Sequence, residues 1–133
     1  MSNELWHLWF KRAKSNLARA ELGRITSDIL YEDLCFDAQQ AAEKALKGLM
    51  ILLEIDTPKT HSIGYLLRLI EEAGEVQIPE RLKEAVILTD YAVTTRYPGD
   101  WEPVDEDEYK QAVSLAHEVY RWALSLTNQD REK

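Results

Sequence analysis

One cysteine, five glycines and four prolines in 133 residues rule out several kinds of protein at once. With Cys35 alone no internal disulfide can form, which fits a reducing compartment and excludes a disulfide-stapled scaffold. So little glycine and proline excludes collagen-like and disordered chains. No run approaches the roughly eighteen apolar residues of a membrane span, so none is expected. The opening MSNELWHLWFKR places its positive charges after a short apolar patch, the reverse of a signal peptide, and a cytoplasmic protein is expected. A basic excess is missing too. The net charge is −8, a poor basis for nonspecific nucleic-acid binding, which depends on neutralising phosphates. There is no Walker phosphate loop, no glycine-rich dinucleotide fingerprint, no internal repeat and no sustained two-residue alternation.

What is present is helical periodicity. The chain reads as one all-α domain over 1–133, with a core over about 5–127 and a frayed tail at 128–133. The spacing predicts a first helix over about 3–23, with Trp6, Trp9, Phe10, Ala13, Leu17 and Ala20 on one face and Gly23 as its stop. A second helix starts after Ser27 or Asp28, either of which can cap it, and runs to about Glu54. The third covers about 61–73. The fourth begins at Pro79, tolerated in a first turn, and runs to about Arg96. Asp105 and Glu108 form a capping box for the fifth, flanked by Val104 and Tyr109 as an apolar staple. Its core stripe is Tyr109, Ala112, Val113, Ala116, Val119, Tyr120 and Ala123. Short connections imply an up-and-down bundle of four to five helices.

The second helix is the central one. Apolar and small residues from Leu34 to Leu53 cover more than half its circumference, an arc that must touch more than one neighbour, and its alanines and Gly48 permit close approach. The remaining arc carries Asp37, Gln40, Glu43, Lys44 and Lys47. On the fourth helix, Leu82, Ala85, Val86, Thr89, Ala92 and Val93 define the expected core face, and Arg96 falls within it. A guanidinium is costly to bury unpaired. Arg96 therefore closes an ion pair, with Asp37 or Glu43 as candidates, satisfies helix-end carbonyls, or faces an anionic ligand; Pro98 then turns the chain. Ile87, Leu88 and Tyr91 form a second apolar patch facing away from the first, which covers another helix or a second subunit.

The segments FDAQQAAEKALKGLM, THSI and YAVTTRYP, in this order and at these distances, resemble the HEPN family over about residues 5–125. The resemblance implies a helical bundle that commonly dimerises and that often pairs with a minimal nucleotidyltransferase in a toxin–antitoxin-like module. Many relatives are metal-independent ribonucleases, whose motif is an arginine followed after four to six residues by a histidine, with a polar residue after the arginine. Arg96 matches the arginine, but Tyr97 replaces the polar residue and YPGDWEP supplies no histidine, so the chain looks more like the branch proposed to bind nucleotides.

Other candidate chemistry is sparse. His61, at the start of the third helix, is either a first-turn residue or an imidazole brought near Arg96 by folding. His117 reads as structural and His7 as solvated beside Lys11 and Lys14. A single Glu-x-x-His spacing, Glu4 to His7, has no second copy, so no metal site and no cofactor are expected. Cys35 lies on the apolar arc and reads as core. Trp6, Trp9 and Trp122 read as bundle packing, and Trp101 as a ring that stacks on a base or covers Arg96. The leading expectation is a dimeric, non-enzymatic binding module that pairs with a nucleotidyltransferase and holds a nucleotide near Arg96 and Tyr97, with Lys44, Lys47 and His61 as accessory groups. The alternatives are a ribonuclease toxin acting on RNA through Arg96 and His61, and a purely structural dimer.

Overall fold

Helix α2 (Tyr31–Leu52) organises the chain, with fifteen of its 22 residues buried. The computed structural model describes residues 4–92 and 103–131, and side chains for 5–92 and 103–127. Around α2 are α1 (Glu4–Glu21), α3 (Ile63–Ala73), a 3₁₀ helix η1 (Glu80–Ala92) and α4 (Glu106–Arg131). The fold is all-α, and the described residues contain no strand.

Cross-helix contacts give the directions. Asp37 meets Arg19 near the end of α1, while Gly48 sits against Phe10 near its start, so α1 and α2 are antiparallel. Tyr31 stacks on Tyr109 at a centroid distance of 4.9 Å, so α2 and α4 begin at the same end. Tyr91 bonds to Glu108 and Arg81 to Glu118, which sets η1 antiparallel to α4. Four passes therefore alternate up and down, with the shorter α3 spliced between the second and third.

The core stripes of α1 and α4 are buried as their periodicity predicts, apart from half-buried Trp9 and Val113. Cys35, Ala38, Ala41, Ala42 and Ala45 are fully buried, which brings α1 and α4 close to the α2 backbone. A Cβ added at Gly48 would stand 2.9 Å from the Phe10 ring, so a side chain there would meet α1 directly.

Three local readings need correction. The α2 cap is Leu30, which makes no side-chain cap bond, rather than Ser27 or Asp28. The segment before α2 is held instead by the Arg24 guanidinium, which donates to the carbonyls of Ser27 and Ile29. The α3 cap is Ser62, whose hydroxyl accepts the Tyr65 N–H at 3.1 Å, and Gly74 ends that helix at φ 81°. In η1 the winding is three residues per turn, so Leu82, Ala85 and Leu88 align inward. Val86, expected in the core, is 44 % exposed, and Leu88, expected on an outer patch, is fully buried. Half-buried Tyr91 bonds Glu108, so Ile87 is what remains exposed of that patch. At the α4 start, Asp105 caps the Glu108 N–H at 2.8 Å, and the Val104–Tyr109 staple is buried. The Glu108 carboxylate turns to the Tyr91 hydroxyl.

Candidate functional site

The polar arc of α2 is not a solvated face. At 3.6 residues per turn, Gln39, Glu43, Lys47, Gln40, Lys44 and Asp37 succeed one another over about 160° of the helix. Asp37, Gln39, Glu43 and Lys47 are buried, because α1 closes over one side of the arc and the connection 53–62 over the other. That connection runs back along α2, so His61 lies beside Gln39 and Glu43 rather than beyond the helix end.

Glu43 is the hub of the first cluster. One carboxylate oxygen accepts from Lys47 Nζ at 2.8 Å. The other accepts from Gln39 Nε2 at 3.0 Å and faces His61 Nδ1 at 2.9 Å. Gln39 also donates to the His61 carbonyl at 3.1 Å, which pins the histidine backbone. Burial pushes the Glu43 carboxyl up, but the donors on Lys47, Gln39 and His61 together outweigh it and hold the group below its ordinary 4.5. An ionised carboxylate only accepts, so the neutral imidazole carries its proton on Nδ1 and leaves Nε2 as the acceptor. The His61 side chain is 66 % exposed. The arrangement is a carboxylate-oriented imidazole, the geometry of a general base or of a ligand-binding histidine. Lys47 Nζ also lies 5.8 Å from the Trp9 ring centroid, a cation–π contact that ties α1 to the cluster.

A second cluster occupies the α1–α2 seam. Asp37 accepts from Arg19 at 2.7 Å and from Asn16 at 3.1 Å, and Asn16 in turn accepts from Lys44 Nζ at 2.8 Å. Both carboxylates proposed for Arg96 thus have partners among the described residues. Arg96, Tyr97 and Trp101, with the end of the fourth helix, lie outside the described residues.

Elsewhere, α1 and α4 leave a shallow groove of about 500 Å³ between them, floored by Leu17, Tyr120 and Leu124. His117 meets Glu21 across it at 3.1 Å. His7 is exposed and stacks on Trp6 at 3.7 Å. Among the described residues, no group of three or more His, Cys, Asp or Glu side chains is placed to share a metal ion, and no helix is long and apolar enough to cross a membrane.

Residues 6–127 match the HEPN domain family. The chain belongs to that family. Among solved structures, it is similar to TT1696 from Thermus thermophilus, with 33 % identity and a TM-score of 0.75 over 94 % of this chain and 98 % of that one. It is also similar to ST0689, an archaeal HEPN homologue, with 26 % identity and a TM-score of 0.72 over 91 % of this chain and 96 % of that one. No curated protein matches the chain.

Within this HEPN domain, Lys47 and His61 meet through Glu43, whereas Lys44 belongs to the seam with Asn16. Glu43, expected only as a partner for Arg96, and Gln39, not singled out from the sequence, complete the cluster. Their signal was available in QQAAEKALK, where Gln39, Glu43 and Lys47 recur every four residues on one stripe. Asn16 stands at the edge of the apolar arc of α1, a polar residue against the core.

Proposed function

We propose that this HEPN domain is a binding module, dimeric and without catalysis of its own, that pairs with a minimal nucleotidyltransferase and holds a nucleotide on the polar arc of α2. The observation that carries the reading is the Glu43–Lys47–His61 cluster. A buried ion pair is weak support for stability, because desolvation offsets its Coulomb energy. Here one pair carries an exposed imidazole at its edge. Such a cluster makes sense as a prepared polar site beside the outward-facing cations of α1 and α2. The absence of a histidine after Arg96 points the same way, since the ribonuclease-type motif is incomplete. Exposed Val86 and Ile87 on η1, with Val86 against Gly64 of α3, supply an apolar patch for a second copy. A reducing cytoplasm suits the single thiol.

The test is co-expression with a minimal nucleotidyltransferase encoded nearby, followed by calorimetry with each nucleoside triphosphate. The reading expects a stable complex and binding of at least one nucleotide. If neither occurs, it is wrong.

The ribonuclease reading is favoured by one observation, the His61–Glu43 dyad, which places a proton acceptor at the surface. On that reading His61 moves protons and Arg96 stabilises the scissile phosphate. It expects growth arrest on expression in a bacterium, relieved by His61→Ala and by Arg96→Ala. An expressing strain that grows normally, with RNA left intact in vitro, rejects it.

A further inference from the structure

We infer that Arg12 and Lys44, on either side of Asn16 at the α1–α2 seam, form a binding site for the phosphate chain of a nucleotide. The inference rests on the nucleotide-binding reading above and places the phosphates at the Lys44 edge of that polar arc, where it meets α1.

Charge along the seam is unmatched. Arg12, Asn16 and Arg19 follow one another on one face of α1, each about one turn from the next. Asn16 is buried and bridges the helices, accepting from Lys44 on one side and donating to Asp37 on the other. Asp37 is already bound twice by Arg19, through Nε at 3.4 Å and a terminal nitrogen at 2.7 Å. Counting the adjacent Glu43–Lys47 pair, the seam and arc hold four cations against two carboxylates. Arg12 makes no hydrogen bond or ion pair among the described residues, and Lys44 has only the neutral Asn16 oxygen. Lys44 is half-buried. Its ammonium is pushed below its ordinary value by burial first and then by the charge of Arg12. An ammonium with two spare donors, partly out of water and beside a second cation, is missing an anion.

Phosphate fits this gap better than a lone carboxylate. The planar fork of Arg12 can grip two phosphate oxygens while Lys44 acts as a point charge on the next group. The net charge of −8 repels anions at long range, but within a Debye length of about 8 Å the local cations dominate, and each phosphate held there gains from them.

The experiment is titration calorimetry of the full chain with inorganic tripolyphosphate and with ATP, at low and raised salt. Wild type, Arg12→Gln, Lys44→Gln and the remote control Lys83→Gln are compared. The site predicts that both ligands bind the wild type and weaken with salt, and that each seam substitution lowers affinity about tenfold or more while the control does not. Tripolyphosphate should also raise the melting temperature of the wild type but not of Arg12→Gln, an exposed position whose change leaves the fold intact. ATP binding that is indifferent to both seam substitutions overturns the site and leaves the nucleotide reading standing. Seam-dependent binding of tripolyphosphate without any nucleotide binding keeps the anion site and ends that reading. No binding of either ligand ends both.

Discussion

His61 Nδ1 lies 2.9 Å from the Oε1 atom of Glu43, eighteen positions earlier in the chain. Through this contact the ten-residue connection 53–62 is fastened to the middle of α2, and the same carboxylate keeps Lys47 neutralised in a nearly dry environment. Removing the carboxylate strands a buried ammonium.

Glu43→Gln should therefore cost about 3 kcal/mol or more at neutral pH, the usual penalty for breaking a buried pair from one side. The pH dependence has a definite sign. The Glu43 carboxyl is held below 4.5 in the folded protein, so its stabilisation is complete above the ordinary carboxylate range and disappears as pH falls through the lowered value. Urea denaturation between neutral and acid pH should show the wild type losing this contribution while the variant has a shallower acid limb. Equal acid sensitivity in the two proteins would remove Glu43 from the account.

Gly48 is the second test, because two effects compete there. Replacing a mid-helix glycine by alanine ordinarily gains about 0.5–1 kcal/mol in backbone entropy. The new Cβ would stand 2.9 Å from the Phe10 ring and 3.1 Å from the Trp9 Cβ, both on the packed face of α1. Overpacking costs about 1–3 kcal/mol, so Gly48→Ala should be net destabilising and Ala45→Leu, at a fully buried site, should lose a similar amount. Thermal melts read both; unchanged midpoints would mean that α1 and α2 are further apart than described.

The helices were legible because apolar spacing fixes which face turns inward, and at α1 and α4 the expected stripes are the buried ones. The Asp105 cap was legible for the same local reason, since its bond to the Glu108 N–H spans three residues. The site was legible only in part. Lys47 and His61 are candidates from sequence alone, but Glu43, which joins them, is expected there only as a partner for Arg96. The difference is one of tertiary coverage. Periodicity shows that a face is polar, whereas whether α1 and a returning loop close over it depends on contacts between residues far apart in sequence. The η1 error is one of winding, since an inward set at every third residue and one at 3.6-residue spacing share Leu82 and Ala85 and then part.

The α4 start allows a finer cut. Asp105→Ala should cost about 1 kcal/mol, the usual loss of an N-cap. Glu108→Gln should act differently from an ordinary capping-box partner, because its carboxylate accepts from the Tyr91 hydroxyl on η1. A double-mutant cycle between Glu108→Gln and Tyr91→Phe should return a coupling energy of about 1 kcal/mol. Additive effects would mean that the carboxylate does not engage Tyr91.

The winding of η1 can be decided by three alanine substitutions. If the segment turns every three residues, Leu88 continues the line of Leu82 and Ala85 into the core, and Val86 and Ile87 stay outside. Leu88→Ala should then cost about 2–5 kcal/mol, with the value set by how far the cavity collapses. Val86→Ala and Ile87→Ala, each more than 40 % exposed, should change monomer stability by less than about 0.5 kcal/mol. An α-helical segment predicts the reverse order, with Val86 beside Ala85 in the core and Leu88 tolerant. The same variants separate folding from association: Ile87→Ala that leaves the urea midpoint at low protein concentration untouched, yet lowers the mass seen by light scattering at high concentration, places that side chain in a contact between two copies.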